Sequence, residues 1–118
     1  MTDLVIGASL KSFRYSNMAI QRLKEYGREV KAIGLKEGEV HGVTIQKGQP
    51  VLDNIHTVLM YINPSRQPEY YDYILGLKPQ RIIFNPGTEN DEFIQLAKDS
   101  KIEPVIACSL VMMSVGNF

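Results

Sequence analysis

The sequence predicts an α/β fold: one Rossmann-like, doubly wound domain with a five-stranded parallel sheet, order 3-2-1-4-5, and helices on both faces. Two observations carry that reading. Continuous apolar runs of strand length end in small or turn-forming residues, and amphipathic segments separate them. A third bounds it. The chain has 118 residues and no linker, low-complexity tract or internal repeat, so residues 1–118 form a single domain. Strand–helix alternation implies right-handed crossovers and a parallel sheet covered on both sides.

The elements follow in order. Leu4 to Ala8 is an apolar run closed by small residues and reads as a strand buried on both faces. A helix is expected over Ser16–Tyr26, with Ala19, Ile20, Leu23 and Tyr26 on one face, Ser16 as N-cap and Gly27 as terminator. Val30 to Leu35 is the second strand. Gly38, Gly42 and Gly48 mark a loop region with room for a short extended piece at Val43–Ile45. Thr57 to Ile62 is the third strand, closed by Asn63-Pro64. Pro68 to Leu77 reads as a helix burying Tyr70 or Tyr71 with Ile74 and Leu77, and stopping before Pro79. Arg81 to Phe84 is strand four. Thr88 caps the next helix, in which Phe93, Leu96 and Ala97 form the apolar stripe, and Glu103 to Cys108 is strand five. The tail, 109–118, is apolar: Leu110, Val111, Met112, Met113 and Val115 either close over the sheet or offer a surface for a homodimer.

Composition narrows the function classes. Thirteen basic residues offset thirteen acidic ones, which argues against a broad phosphate-neutralising surface for nucleic acid. The single cysteine, Cys108, excludes an intrachain disulfide and a cysteine-rich zinc site. No stretch reaches the roughly eighteen apolar residues of a membrane helix, and the apolar run near Met1 is too short for a secretory h-region. The expectation is a cytoplasmic globular domain.

In doubly wound sheets ligands bind beyond the carboxyl ends of the strands, at the switch point beside strand one. The first strand-end loop carries the strongest signal. Gly7 permits a tight turn and close backbone approach to a ligand, while about seven residues, Ser9 to Tyr15, separate strand from helix. The three spaced glycines of a dinucleotide fingerprint are absent, since no glycine follows Gly7 until Gly27. Lys11 and Arg14 precede the first helix, which has no acid until Glu25, so its positive dipole end suits a phosphate. The bland alternative is a solvated basic loop. The helix after Gly87 has Glu89, Asp91 and Glu92 in its opening residues, which repel an anion.

Other strand ends support two readings each. Asn63-Pro64-Ser65-Arg66 either presents Asn63 and Arg66 to a ligand or simply ends a strand before a helix. In Asn85-Pro86-Gly87-Thr88-Glu89-Asn90, Thr88 with Asp91 approximates a capping box, and Asn85 and Gly87 sit at the crevice rim. Cys108 is at a strand end, either reactive or a small buried hydrophobe. His41 and His56 do not obviously face the crevice, and no Ser/His/Asp set, Walker loop, metal-binding helix motif or acidic pair appears.

Taken together, Ile6-Gly7-Ala8-Ser9, Arg14-Tyr15-Ser16-Asn17 leading into Leu23, and Gly27 to Ile33 resemble the opening of the small stand-alone CoA-binding domain family, related to the CoA-binding domain of succinyl-CoA synthetase. The likeness continues through Val40-His41-Gly42, Thr57 to Pro64 and Gly87-Thr88-Glu89-Asn90, and closes with Cys108. It covers almost the whole chain, and the order of weakly specific motifs carries it. The resemblance implies CoA or acyl-CoA across the crevice, pyrophosphate near Gly7, Ala8, Ser9, Arg14, Ser16 and Asn17, and adenosine groups near the end of strand two. There the family often has Val-Asn-Pro-Lys where this chain has Ile33-Gly34-Leu35-Lys36, so Lys36 keeps the base and the Asn-Pro element is lost. Asn63, Pro64, Arg66, Asn85 and Gly87 complete the candidate ligand set, for which no catalysis is evident. Two alternatives stand beside it: an NAD(P)-binding enzyme, weakened because Glu37 falls one step late for the ribose hydroxyls, and a structural or regulatory homo-oligomer.

The neutral total hides an asymmetry. Residues 1–36 hold seven basic and three acidic residues, and the remaining 82 hold six and ten. The first strand–helix–strand unit is the basic part of the chain, which fits a small anionic ligand.

Overall fold

A computed structural model describes residues 1–118. Seven strands form one sheet: β1 (Thr2–Ala8), β2 (Glu29–Gly34), β3 (Gly38–Val40), β4 (Val43–Gln46), β5 (Ile55–Met60), β6 (Arg81–Phe84) and β7 (Glu103–Ile106). Their order is β3-β4-β2-β1-β5-β6-β7, parallel throughout except for the β3–β4 hairpin at one edge. The α/β class with a parallel core is as expected; the five-stranded order 3-2-1-4-5 is not. The strand expected third, Thr57–Ile62, forms as β5 and pairs with β1, while the place outside β2 goes to β4. The physical reason is local. The extended piece expected at Val43–Ile45 forms, as β4: Val43 and Ile45 are buried with Thr44 exposed between them, a period-two pattern too short to fix its place in the sheet before its partners are known.

Alternation along β1 builds two cores. Leu4 and Ile6 face a cluster with Val58, Met60, Ile74, Phe84 and Phe93, under helices α2 (Tyr71–Leu77) and α3 (Asp91–Asp99). Val5 and Ala8 face Ala19, Ile20, Leu23 and Met113, under α1 (Tyr15–Glu25) and α4 (Ser109–Ser114). The sheet is thus covered on both faces.

Several boundaries move for identifiable reasons. Ser16 is a buried residue inside α1, and Arg14 takes the cap position without a side-chain bond. The helix expected from Pro68 is preceded by a 3-10 helix over Pro64–Tyr70, with Pro64 at its start and Pro68 inside it; only beyond Tyr70 does the chain become α-helical. Tyr70 and Ile74 are buried. Thr88 does not cap α3. Asn90 does, accepting from the Phe93 N–H at 3.2 Å, and the Thr88 hydroxyl donates back to the Asn85 carbonyl at 2.7 Å. In the tail, α4 buries Met112 and Met113 on the sheet while Val111 and Val115 remain exposed.

At the amino ends of the strands, Arg28 clasps the buried Asp3 carboxylate with two hydrogen bonds of 2.9 Å. The Phe118 ring lies under Arg28 and Arg81, 5.3 and 4.6 Å from the guanidinium carbons. No helix is long and apolar enough to cross a membrane.

Candidate functional site

The opposite end of the sheet is open. A crevice of about 520 Å³ lies beyond the carboxyl ends of β1, β2, β5 and β6, within the range of roughly 300–1,000 Å³ usual for small-molecule sites. Its centre is the junction of β1 and β5, where the order of connections reverses.

β1 supplies the floor. The chain turns at Gly7 (φ +97°), where a β-carbon would come 2.9 Å from the Tyr61 carbonyl carbon and 3.0 Å from Ile62 Cγ2. Only glycine meets both demands, the left-handed backbone and the close approach. Ala8, Ser9, Leu10, Lys11, Arg14, Tyr15 and Ser16 continue that wall into the start of α1. No side chain caps this helix and its first turn holds no acid, so its positive end faces the crevice uncompensated.

β2 contributes Ile33, Gly34, Leu35 and Lys36; the loops after β5 and β6 contribute Tyr61, Ile62, Asn63, Arg66 and Tyr70, then Pro86 and Thr88. Lys11, Arg14, Lys36 and Arg66 are therefore all on the lining, and no aspartate or glutamate is. Arg14 also lies 5.5 Å from the Phe13 ring centroid, and Arg66 has only a loose contact of 3.8 Å with the exposed Glu69. The crevice holds a concentrated positive potential with little internal neutralisation.

The expected site residues divide into two groups. Gly7, Ala8, Ser9, Arg14, Ser16, Lys36, Asn63 and Arg66 line the crevice. Asn17, Pro64, Asn85 and Gly87 do not. Asn17 is buried, its Nδ2 donating to the Ser9 carbonyl at 2.9 Å and its Oδ1 lying 2.8 Å from His41 Nε2. Asn85 is buried too: its Nδ2 donates to the Met60 carbonyl at 3.0 Å and its Oδ1 accepts from the Ser109 N–H at 2.8 Å. Both asparagines brace backbone behind the wall. Gly87 lies in the turn beyond it, donating its N–H to Glu89.

Sequence reasoning missed Gln67, which sets the far wall. Fully buried, it donates to the carbonyls of Ile62 and Thr88 at 3.0 and 2.8 Å, and accepts from Asn90 at 2.9 Å. One side chain thus joins the β5 and β6 loops and the cap of α3. A glutamine between two prolines gives no sign of that in sequence. Tyr61 and Tyr70 were also missed as lining residues; their place follows from the β5 end and the 3-10 helix.

Burial holds the Tyr61 phenol well above its ordinary range, an effect opposed by Ser109 and reinforced by Cys108. It stays protonated at neutral pH and cannot act there as a base. Cys108 is half-buried at the cap of α4 and off the crevice lining. No three His, Cys, Asp or Glu side chains gather where they could hold a metal ion.

The CoA binding domain family matches residues 2–114. An uncharacterised protein of known crystal structure is 49% identical, with a TM-score of 0.96 over 99% of this chain and 97% of its own. A Thermus thermophilus protein superposes with a TM-score of 0.87 at 21% identity, covering 99% of this chain and 90% of its own. The dinucleotide-forming acetyl-coenzyme A synthetase 1 of Ca. Korarchaeum cryptofilum, solved with phosphate and ADP, superposes with a TM-score of 0.75 at 15% identity. That match covers 90% of this chain and 25% of the synthetase, a likeness of fold. No curated protein matches the chain.

Proposed function

The chain belongs to the CoA binding domain family, and from that premise we propose that it binds CoA or an acyl-CoA in the strand-end crevice. The observation that carries this reading is the convergence of Lys11, Arg14, Lys36 and Arg66 on a lining free of carboxylates, beside the uncapped start of α1. CoA has a pyrophosphate and a separate ribose phosphate, so it offers anionic groups at two places along its length. In this reading the backbone from Gly7 to Ser9 and the first amides of α1, at Tyr15 and Ser16, hold the pyrophosphate with Arg14. Lys36 meets the ribose phosphate, and Asn63 and Arg66 face the pantetheine arm. Pro64 starts the 3-10 helix that carries Arg66, while Asn17, Asn85 and Gly87 support the walls from behind.

The reading assigns recognition and no bond-making step. The competing reading is an NAD(P) site. The β2 end argues against NAD, because Glu37 is not on the lining and no other acid is there to take ribose hydroxyls. Self-association through the exposed Val111 of α4 and Val115 just after it is a separate proposal, tested by sedimentation of Val111→Ser with Val115→Ser.

Parallel calorimetric titrations with CoA, acetyl-CoA, NAD and NADP test the reading. Saturable binding of the CoA ligands, weakened in Arg14→Ala, is the expected result. Binding of NAD alone overturns it.

A further inference from the structure

We propose that His41, at the tip of the β3–β4 hairpin, is a positioning residue for the ligand-holding loop and acts on it through Asn17. The proposal rests on the CoA reading of the crevice and adds a residue that lies outside its lining.

The hairpin supplies the first argument. Val40 pairs with Val43, so the turn is the two residues His41 and Gly42, both at positive φ, 51° and 80°. A two-residue turn with both residues left-handed favours Asn-Gly or Asp-Gly. Histidine enters the left-handed region more readily than most residues, yet it has no backbone advantage over asparagine or aspartate in this turn. Its side chain has one: Nε2 lies 2.8 Å from Asn17 Oδ1.

The direction of that bond follows from its neighbour. The Ser9 carbonyl can only accept, so the nitrogen of the Asn17 amide faces it, and Oδ1 is left facing the imidazole. His41 must therefore donate from Nε2. Asn17 is buried, so its amide has little freedom to swing while His41 holds it. The relay ends on Ser9, which begins the loop bearing Lys11 and Arg14.

A second contact joins the same two pieces. Leu10 packs so closely on Gly38 of β3 that a β-carbon there would come 2.6 Å from Leu10 Cδ2. The hairpin thus grips the loop at Leu10 and again through Asn17. It also begins just after Lys36, so the bases on both sides of the crevice mouth belong to one clasped unit. Binding to a loop already held open loses less ordering entropy than binding to a free one.

His41→Asn separates this role from turn stability, because asparagine suits the turn and is too short to reach Asn17. His41→Gln restores a donor at similar reach. Three readings are made on the full chain: CoA affinity by calorimetry, amide exchange over Ser9–Tyr15, and thermal midpoint. His41→Asn is expected to weaken CoA binding about three- to tenfold, the range of one lost hydrogen bond. It should also speed exchange in the loop, with an unchanged or higher midpoint, and His41→Gln should recover most of both losses. Nitrogen NMR of the wild type should show the proton on Nε2. Wild-type affinity and loop exchange in His41→Asn overturn the proposal, as does a proton on Nδ1. If the wild type binds no CoA, the ligand reading fails separately, and loop exchange alone decides: faster in His41→Asn upholds the bracing, unchanged refutes it.

Discussion

Arg14 occupies the position where three favourable features meet: the last residue before α1, the crevice lining and an exposed guanidinium. Arg14→Ala should weaken CoA binding about tenfold, the scale of one charge-assisted contact. Arg14→Lys should recover part of that, because a lysine keeps the charge and loses the forked geometry. Calorimetry at constant salt reads both. At the other end of the sheet, burial raises the Asp3 carboxyl above its ordinary value, with Arg28 opposing the shift. An acid whose folded value is raised binds protons more readily when folded, so its contribution to stability is fullest below about pH 3.8 and is lost as pH rises through the folded value. Urea melts across the acid range should therefore show the wild type losing ground to Asp3→Asn as pH rises. Single residues were only partly legible. Arg14 and Lys36 could be placed from charge and strand ends, because long exposed cations tolerate small errors of position. Asn17, at the start of α1, and Asn85, at the end of β6, could not, since the sequence does not say whether an amide faces ligand or backbone.

Elements were legible where a run was long and failed where it was short. β1 and α1 declare themselves by a continuous apolar run and a helical stripe. In the β3–β4 hairpin, strands of three and four residues are too brief to fix a place in the sheet: the extended piece at Val43–Ile45 was legible, its position beside β2 was not, and the strand that forms as β5 was expected there instead. Helix starts were misread for a related reason: Ser16 and Thr88 suit caps by chemistry, but Arg14 and Asn90 stand where the chain turns. Asn90→Ala should destabilise the fold by about 1–2 kcal/mol, since the cap of α3 and the bond to Gln67 are lost together. Thr88→Ala should leave α3 helicity nearly intact; urea unfolding and circular dichroism check the pair. Gly7→Ala should cost on the order of 2 kcal/mol or more, because the left-handed turn and the contact with Tyr61 both resist a β-carbon.

At the scale of the molecule, charge and topology point to one place. The basic first 36 residues form the β1–α1–β2 unit, and the sheet directs its strand ends, with Lys11, Arg14 and Lys36, into the crevice. Net neutrality concealed this because the compensating acids lie elsewhere, among them Asp91 and Glu92 in the first turn of α3. Exposed cations are screened by salt, so CoA affinity should fall steadily as ionic strength rises from low to physiological and beyond. Ligand binding to the folded state alone should raise the thermal midpoint, by about 10 °C at a hundred times the dissociation constant. The central claim is that CoA occupies the strand-end crevice, and amide-resolved NMR during a CoA titration tests it most directly. The account predicts saturable shifts concentrated at Gly7–Ser16, Gly34–Lys36 and Tyr61–Arg66. Amides there that stay unmoved at saturating CoA, or shifts confined to α3 and β7, would contradict it.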